Sequence, residues 1–381
     1  MIQNLDAAPL HILHVLTLSG KNGEYGGPNR VAREICKALD RSQFKTRIFS
    51  GAMKFSLPIP EDNLDEEYVI VSPIWNQFPI SSLCSKKILF ALWRQIRRSD
   101  LVHIHFARDL IPILAAIICR IQRKPYVTQT HGMVVPDTRK IALIIDRIFV
   151  KSILGGSRTN FVLSDKELID MHPLALRCPF VILPNGIQVP ESVPLREPLI
   201  TNRIAFCSRV QSRKRPELFL ALAKYSRVNY PELSFEIYGP DGGELPEVLR
   251  RLGEDLELKN TTYRGAIEPS QVTSVLSQID LVVLPSVNEQ FPMVVLESLS
   301  VGTPVLIMPS NGLAHLLEHD LPGTTCRSED LEGLISAFHL LYKREFLSGE
   351  RENIQEFCRS TFQISSVTKS IENLYLKVLK S

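Results

Sequence analysis

Short apolar runs alternate with longer stretches whose apolar residues recur every three or four positions, almost from end to end of the chain. A run of four to eight apolar residues between turn residues reads as a strand buried on both faces, and the longer period reads as a helix. The alternation predicts βαβ units with parallel sheets, an α/β fold. Strands are expected at His11–Leu18 (HILHVLTL), near Lys45–Ser50 and Tyr68–Ser72, and at Asp100–Phe106 (DLVHIHF), Lys124–Thr130, Asn160–Leu163 and Phe180–Leu183. Helices are expected at Pro28–Leu39, around Lys87–Arg97, at Asp109–Gln122 and at Thr138–Leu154. The proline-bearing stretch from Pro184 to Pro198 reads as a linker. Beyond it the pattern restarts with strands at Asn202–Cys207, Leu233–Gly239, Thr261–Gly265, Leu281–Pro285 and Thr303–Met308. Helices are expected after Ser212, at Ser270–Ser277, Asn311–Glu318 and Asp330–Lys343, and at the end over Ser365–Leu379.

The stretch Pro285–Gly302 (PSVNEQFPMVVLESLSVG) concentrates the candidate chemistry. Val294, Val295, Leu296 and Leu299 give its helix an apolar face, Pro292 suits the first turn, and Gly302 closes the end. A loop feeding a helix N-terminus presents backbone N–H groups and a positive dipole end, which suits a phosphate. Glu289 before the helix and Glu297 within it flank that point, and a carboxylate can accept hydrogen bonds from sugar hydroxyls. Arg209, Arg213, Lys214 and Arg215 cluster where the Asn202–Cys207 strand ends. Two such cations would neutralise a diphosphate and the charge that builds as it leaves.

In the first half, Gly26 and Gly27 precede a helix, where they let the backbone approach a bound group. They do not form the G-x-G-x-x-G dinucleotide fingerprint. His103 and His105 share one face of their strand, and His105 lies at its carboxyl end, where ligands of α/β folds gather. Arg108 follows as an acceptor-side candidate. His131, before the turn-forming Gly132, would project from the end of the next strand. Gly239 ends another strand and could admit a base or ribose. The isoleucine-rich helix at Thr138–Leu154 carries Arg139, Lys140, Arg147 and Lys151 among its apolar positions. Such a helix either lies on a membrane surface or, the ordinary case, packs on a sheet with its basic residues in water.

Composition narrows the class. At 381 residues the chain exceeds one ordinary core, so two domains are expected. Apolar and charged fractions of 44% and 22% are those of a globular protein rather than a disordered or membrane-embedded one. Seven scattered cysteines with no C-x-x-C read as buried reduced thiols and no zinc site, and a cytoplasmic setting is expected. Neither a signal peptide nor a membrane-spanning run is apparent. Lys and Arg outnumber Asp and Glu by 24 to 16 up to Asn185, and are outnumbered 20 to 25 beyond it. A basic first half suits an anionic surface or a pyrophosphate-bearing acceptor, and ordinary surface variation accounts for the asymmetry equally well. No nucleic-acid motif stands out, and nucleic acid is not an expected partner.

Four motifs in order, GG at Gly26–Gly27, HG at His131–Gly132, R-x4-K at Arg209 and Lys214, and EQFPMVVLE at Glu289–Glu297 followed by VGTPVL, resemble the retaining glycosyltransferases of family 4. The usual family reading of the last is E-G-F-G-L-x-x-x-E, so Gln290 and Pro292 stand where glycines are common. PNGI at Pro184–Ile187 resembles the opening of the family's second domain, with Gln188 in place of the usual aspartate. The resemblance covers nearly the whole chain. It implies the GT-B fold: two Rossmann-like parallel-sheet domains facing across a cleft, 1–185 for the acceptor and 186–364 for the nucleotide sugar, with 365–381 as a terminal helix returning to the first. It implies transfer of a sugar from a UDP- or GDP-sugar to an acceptor hydroxyl with retained configuration. By the same analogy Glu297 binds the ribose, Glu289 with the backbone of Phe291, Pro292, Met293 and Val294 holds sugar and phosphate, and Gly26 and Gly27 border donor and acceptor, while Gly239 is a donor-side candidate from its strand-end position. His131 contacts the donor sugar near the reacting carbon, and Arg209 and Lys214 take the diphosphate. No D-x-D metal clamp is present, so no obligatory metal or other cofactor is expected. The implied setting is bacterial polysaccharide, O-antigen or capsule assembly, with a carbohydrate or lipid-linked saccharide acceptor and possible peripheral contact with the inner membrane surface. Two other readings use the same fold: a sugar-nucleotide epimerase, and a catalytically silent nucleotide-sugar-binding scaffold.

Overall fold

The computed structural model describes residues 8–20, 27–75, 81–135, 139–174, 179–192, 202–321, 323–343 and 350–380. It divides into two compact units, Met1–Gly186 with Ile364–Ser381, and Ile187–Gln363.

The first unit is built on a seven-stranded sheet in the order β3-β2-β1-β6-β7-β8-β9. Its strands are β1 (Leu10–Ser19), β2 (Phe44–Ala52), β3 (Glu66–Ile70), β6 (Leu101–His105), β7 (Tyr126–Gln129), β8 (Asn160–Val162) and β9 (Phe180–Ile182), all parallel. A small antiparallel ribbon, β4 (Ser72–Pro73) with β5 (Leu83–Cys84), had no signal in the sequence pattern. Central strands are buried on both faces: every residue of β6 and β7 is buried. That explains their continuous apolar runs, since βαβ crossovers cover both sides of a parallel sheet. Chain order steps outward from β1 to β2 and β3, then reverses to β6 on β1's other side. Such a reversal opens a crevice beyond the strands' carboxyl ends.

The last helix, Ile364–Lys380, belongs to this unit. Its apolar spacing brings Tyr375, fully buried, edge-on to Phe44 with ring centres 6.1 Å apart. The Glu372 carboxylate accepts the Asp40 amide at 2.8 Å. Gly186 sits so close to this helix that a Cβ there would lie 2.6 Å from Ile364, which explains the glycine after Asn185.

The second unit holds five parallel strands in the order β12-β11-β10-β13-β14. They are β10 (Arg203–Cys207), β11 (Ser234–Tyr238), β12 (Thr261–Gly265), β13 (Leu281–Leu284) and β14 (Val305–Ile307). Order reverses between β10 and β13. A helix over Arg351–Phe362, which the sequence pattern did not flag, packs on this unit. Its Arg351 is buried and donates to the Ser277 and Val301 carbonyls, so a charged residue occupies a position that reads as surface.

The isoleucine-rich helix packs inward with its basic residues in water, and also leaves several isoleucines exposed. It runs as Lys140–Ile145, a wide turn at Asp146–Val150, and Lys151–Gly156. It packs inward through Ala142, Asp146, Val150, Ile153 and Leu154. Ile141, Leu143, Ile144 and Ile148 stay exposed, beside exposed Arg147 and Lys151. Among the described cysteines none is bonded; five are buried, and Cys84 is only half-buried, against the expectation of uniform burial.

Candidate functional site

In the second unit, the reversal between β10 and β13 gathers the predicted charges. The loop after β10 carries Ser208 and Arg209 and turns through Ser212–Lys214 into the helix Pro216–Asn229. The loop after β13 carries Ser286 and Glu289 and leads into the helix Met293–Ser300. Lys214 Nζ donates to Glu289 Oε1 across the two loops, and each side chain is only 12% exposed. Ser286, wholly buried, donates to the other Glu289 oxygen at 2.6 Å. The sequence reading had both Lys214 and Arg209 awaiting a diphosphate, whereas here Lys214 already holds Glu289. Arg209 is exposed and, among the described residues, forms no ion pair.

Backbone conformation holds these loops in place. Asn288 takes a left-handed φ of 52°, and its amide is bonded by Ser310 Oγ at 2.9 Å. The Gly312 amide donates to the Glu289 carbonyl at 2.8 Å. Gly239 has φ 141°, and a Cβ there would lie 1.8 Å from the Ser208 carbonyl oxygen. Close packing of the β11 end on the Arg209 loop therefore demands glycine, whether or not a ligand lies beside it. Pro292 proves to be the residue before the helix, extended at φ −73° and ψ 114°, one place earlier than the pattern implied. Phe291 packs edge-on to Phe362, ring centres 6.0 Å apart. Met293 and Val294 are partly buried in the first helical turn. Glu297 is 7% exposed, and its charge, after burial itself, helps push the Cys207 thiol up.

In the first unit, registers place His14 beside His103, and His105 beside Gln129, which in turn lies beside Phe161, on one face of the sheet. His14 Nδ1 lies 3.1 Å from His105 Nε2, and His105 Nδ1 lies 2.7 Å from His131 Nε2. His103 Nδ1 lies 2.5 Å from the Tyr375 hydroxyl. His131 takes φ 51° and Gly132 φ 71°, a left-handed pair that costs energy at the histidine. Glu167 secures it: this buried carboxylate accepts the Gly132 amide at 2.5 Å, the Thr130 hydroxyl at 2.6 Å and the Leu163 amide at 2.7 Å. Burial raises the Glu167 pKa even against these three donors. Sequence reasoning missed Glu167, His14 and Tyr375; a histidine in each of two neighbouring strands was the available signal.

Arg108 is held by Asp146, through Nε at 2.7 Å and Nη2 at 2.9 Å, and by the Val135 carbonyl at 2.6 Å. It anchors the isoleucine-rich helix, a structural task the acceptor-side reading did not foresee. Gly26 lies outside the described residues, and Gly27 opens the helix Gly27–Ala38 with open space where its Cβ would be. Of the described residues, His14, His103 and His105 alone bring three metal-ligating atoms within 4.8 Å of one another. In the His14–His105 pair the two ring nitrogens lie 3.1 Å apart, within hydrogen-bond distance of each other. A cavity of about 370 Å³ lined by Lys45, Arg47, Gln95 and Ser99 lies at the strands' amino ends, away from these groups.

Against this geometry, the model of Glycosyltransferase Family 4 matches residues 25–190, and that of Glycosyl transferases group 1 matches 192–360. The chain belongs to the family 4 glycosyltransferases. Solved structures of similar fold include HepE of Anabaena in complex with UDP and glucose, at 16% identity and TM-score 0.76, covering 97% of this chain and 100% of that one. Sucrose-phosphate synthase from Thermosynechococcus elongatus matches at 16% identity and TM-score 0.74, covering 97% and 99%. The pneumococcal O-GlcNAc transferase GtfA in complex with UDP and GlcNAc matches at 12% identity and TM-score 0.74, covering 98% and 100%. At such identities the likeness carries the fold, and this glycosyltransferase has the GT-B type of fold. No curated protein matches the chain by sequence.

Burial lowers His14 and His131 to about 3, and holds His103 and His105 well below the usual histidine value. An unfolded histidine binds a proton below pH 6.5, and these folded ones do not. Stability is therefore complete above pH 6.5 and drains as pH falls toward 3, by up to about 1.4 kcal/mol per pH unit for each histidine. The urea midpoint of the first unit should drop clearly between pH 7.5 and pH 5. A midpoint flat over that window contradicts the burial of neutral imidazoles.

Proposed function

We propose that this glycosyltransferase moves a sugar from a nucleotide diphosphate sugar, a UDP- or GDP-sugar, to an acceptor hydroxyl with retained anomeric configuration. The observation that carries the reading is the Lys214–Glu289 pair at the strand reversal, beside exposed Arg209 and a helix start. The donor class draws support from the fold neighbours solved with UDP and a sugar.

In this reading the diphosphate lies by the Met293 helix start, and Arg209 and Lys214 spread its negative charge. Lys214 then exchanges part of its bond to Glu289 for a phosphate oxygen, leaving Glu289 to accept from sugar hydroxyls. Glu297 receives the ribose hydroxyls. The bond from the anomeric carbon to the β-phosphate oxygen breaks, the acceptor oxygen bonds to that carbon on the same face, and the acceptor proton passes to the departing phosphate. The products are a nucleoside diphosphate and the new glycoside. His131 takes a hydroxyl of the donor sugar. Gly26, Gly27 and Gly239 border the donor, and His105 and Arg108 lie toward the acceptor.

Arg209→Ala and Lys214→Ala should each lower kcat by roughly thirty- to several-hundred-fold, as loss of one charged donor to a leaving group does. Turnover within threefold of wild type in both variants, with folding intact by circular dichroism, sinks the diphosphate assignment. Product anomeric configuration by NMR reads retention directly.

Glu297→Ala should weaken UDP or GDP binding by roughly 1.5–3 kcal/mol, the worth of hydrogen bonds to a charged group. Calorimetry giving equal nucleotide affinity in the variant removes Glu297 from the ribose.

The setting we propose is polysaccharide assembly at the cytoplasmic membrane face, on a carbohydrate or lipid-linked acceptor. No helix among the described residues is long and apolar enough to cross a membrane. The exposed Ile141, Leu143, Ile144 and Ile148 with Arg147 and Lys151 instead suit an interfacial helix on anionic lipid. Sedimentation with phosphatidylglycerol vesicles should carry the protein down, and Ile144→Asp with Ile148→Asp should leave it in solution. Equal partition of both proteins speaks against membrane contact at this helix.

A further inference from the structure

The helix Lys86–Arg98 (KKILFALWRQIRR) buries Ile88, Ala91, Leu92, Gln95 and Ile96 in the first unit. Its opposite stripe should be polar, as on any helix lying between protein and water. Instead, Leu89, Phe90 and Trp93 occupy it, with Phe90 71% and Trp93 41% exposed. Residues three and four apart are neighbours on a helix, so these side chains form one patch. Lys86 and Lys87 lie at one end of the patch and Arg97 at the other. All three are exposed and, among the described residues, form no ion pair. Arg94, also exposed, is held by Glu67 at 2.6 Å.

The patch continues on either side. Beside it runs the helix Leu110–Ile121, joined through Gln122 Nε2, which donates to the Trp93 carbonyl at 3.0 Å. Every residue from Leu110 to Cys119 is apolar, so this helix has no polar stripe to turn outward. Its Leu114 and Ile117 are half-buried, and Ile121 is exposed. Farther on, Arg120 Nη1 donates to Ser152 Oγ at 2.6 Å and ties in the isoleucine-rich helix. On the other side, Trp75 is 66% exposed. Buried Ser82 grips its backbone, accepting from the Trp75 amide and donating to the carbonyl, both at 3.1 Å. Neither the helix Lys86–Arg98 nor the helix Leu110–Ile121 contains an acidic residue.

Contiguous apolar side chains facing water mark a contact surface, and a merely solvated helix mixes charges of both signs. Here aromatic and aliphatic residues are rimmed by cations alone. That combination matches the boundary of an anionic bilayer, where aromatic rings sit at headgroup level and Lys and Arg meet lipid phosphates. A second copy of the same face is a poorer match, because basic rim would oppose basic rim.

We propose that the outer face of the helix Lys86–Arg98, with Trp75 and Ile121 at its margins, docks on an anionic lipid bilayer. Leu89, Phe90 and Trp93 enter the headgroup–acyl boundary, and Lys86, Lys87 and Arg97 meet lipid phosphates. The proposal rests on the membrane setting given above, but on none of the exposed residues of the isoleucine-rich helix. Leu110 begins its helix just past the carboxyl end of β6, so the docked layer reaches the crevice end of the sheet, where that reading puts a lipid-linked acceptor.

Trp75 and Trp93 are the two tryptophans of the chain, and both lie on this face, so intrinsic fluorescence reads the contact directly. Phosphatidylglycerol vesicles should shift the emission of the full chain to shorter wavelength, and brominated acyl chains in them should quench it. In Trp75→Phe the remaining signal is that of Trp93, and it should respond in the same way. Phosphatidylcholine vesicles should give little of either effect, and an equal response there overturns the part given to Lys86, Lys87 and Arg97. Leu89→Asp with Phe90→Asp should lower partition onto phosphatidylglycerol by about tenfold or more, as withdrawal of two apolar side chains does. Protein that sediments with the vesicles while Trp93 stays unquenched overturns the proposal and leaves the isoleucine-rich helix as the contact. Trp93 quenching that survives Ile144→Asp with Ile148→Asp upholds the proposal independently of that helix. An emission shift that follows protein concentration without vesicles makes the face a self-association surface and overturns the proposal. Should the Leu89 and Phe90 variant not fold, quenching of Trp93 in Trp75→Phe still decides.

Discussion

The ion pair between Lys214 and Glu289 joins the two loops that carry the predicted charges of the second unit. Both charges are largely withdrawn from water, which is expensive unless geometry and further hydrogen bonds compensate. Ser286 supplies one such bond, and the Gly312 amide holds the backbone behind Glu289. The pair ties the loop after β10 to the loop after β13, the two strands between which chain order reverses. Removing either partner leaves a lone charge with little solvent, so neither residue is freely exchangeable. A bound diphosphate would give Lys214 a second anion and change how that balance is struck, which makes the pair a natural point of response to the donor.

The first unit meets a different constraint. Its sheet carries polar rings on a face that burial keeps uncharged, and the returning C-terminal helix closes over them with Tyr375. Tyr375 bonds His103, whereas His105 lies within hydrogen-bond distance of His14 and His131, so the helix and the strand ends are served by separate histidines on one face. The left-handed turn at His131–Gly132 adds strain, and Glu167 offsets it with three hydrogen bonds. A buried carboxylate is a demanding support, but it fixes a turn that an apolar residue could not address.

Much of this was legible in the sequence. Apolar runs placed the long parallel strands, because such strands are buried on both faces and must be apolar throughout. Motif order gave the family before any geometry was known. What the sequence hid was pairing at a distance. Nothing in Arg108 announces Asp146, and nothing in Lys214 announces that it meets Glu289 rather than waiting for a ligand. The buried Arg351 and the helix around it escaped because an arginine pattern reads as solvent-facing. Gly239 was noticed for the right reason, close approach, but the approaching group is the chain's own Ser208 carbonyl. The exposure of Ile141, Ile144 and Ile148 was not legible either, since helical apolar spacing does not say whether each apolar residue meets protein or solvent.

The two departures from the family's glycine pattern bear on how phosphate would be held. Pro292 stands immediately before the helix Met293–Ser300, and proline has no N–H to offer. The helix start thus lacks one amide that a glycine there would provide, and the remaining first-turn amides begin at Met293. Gln290 is buried, and its carbonyl lies so near Gly312 that a Cβ there would fall 2.1 Å away, so the loop is packed from behind and has little freedom to supply the missing donor by moving. Negative charge that backbone amides would otherwise share then falls more heavily on side chains. Arg209, exposed and without an ion pair among the described residues, is the group best placed to take it, because Lys214 begins already engaged. In the proposed reading, phosphate recognition in this chain would therefore rest more on cationic side chains than on the helix terminus.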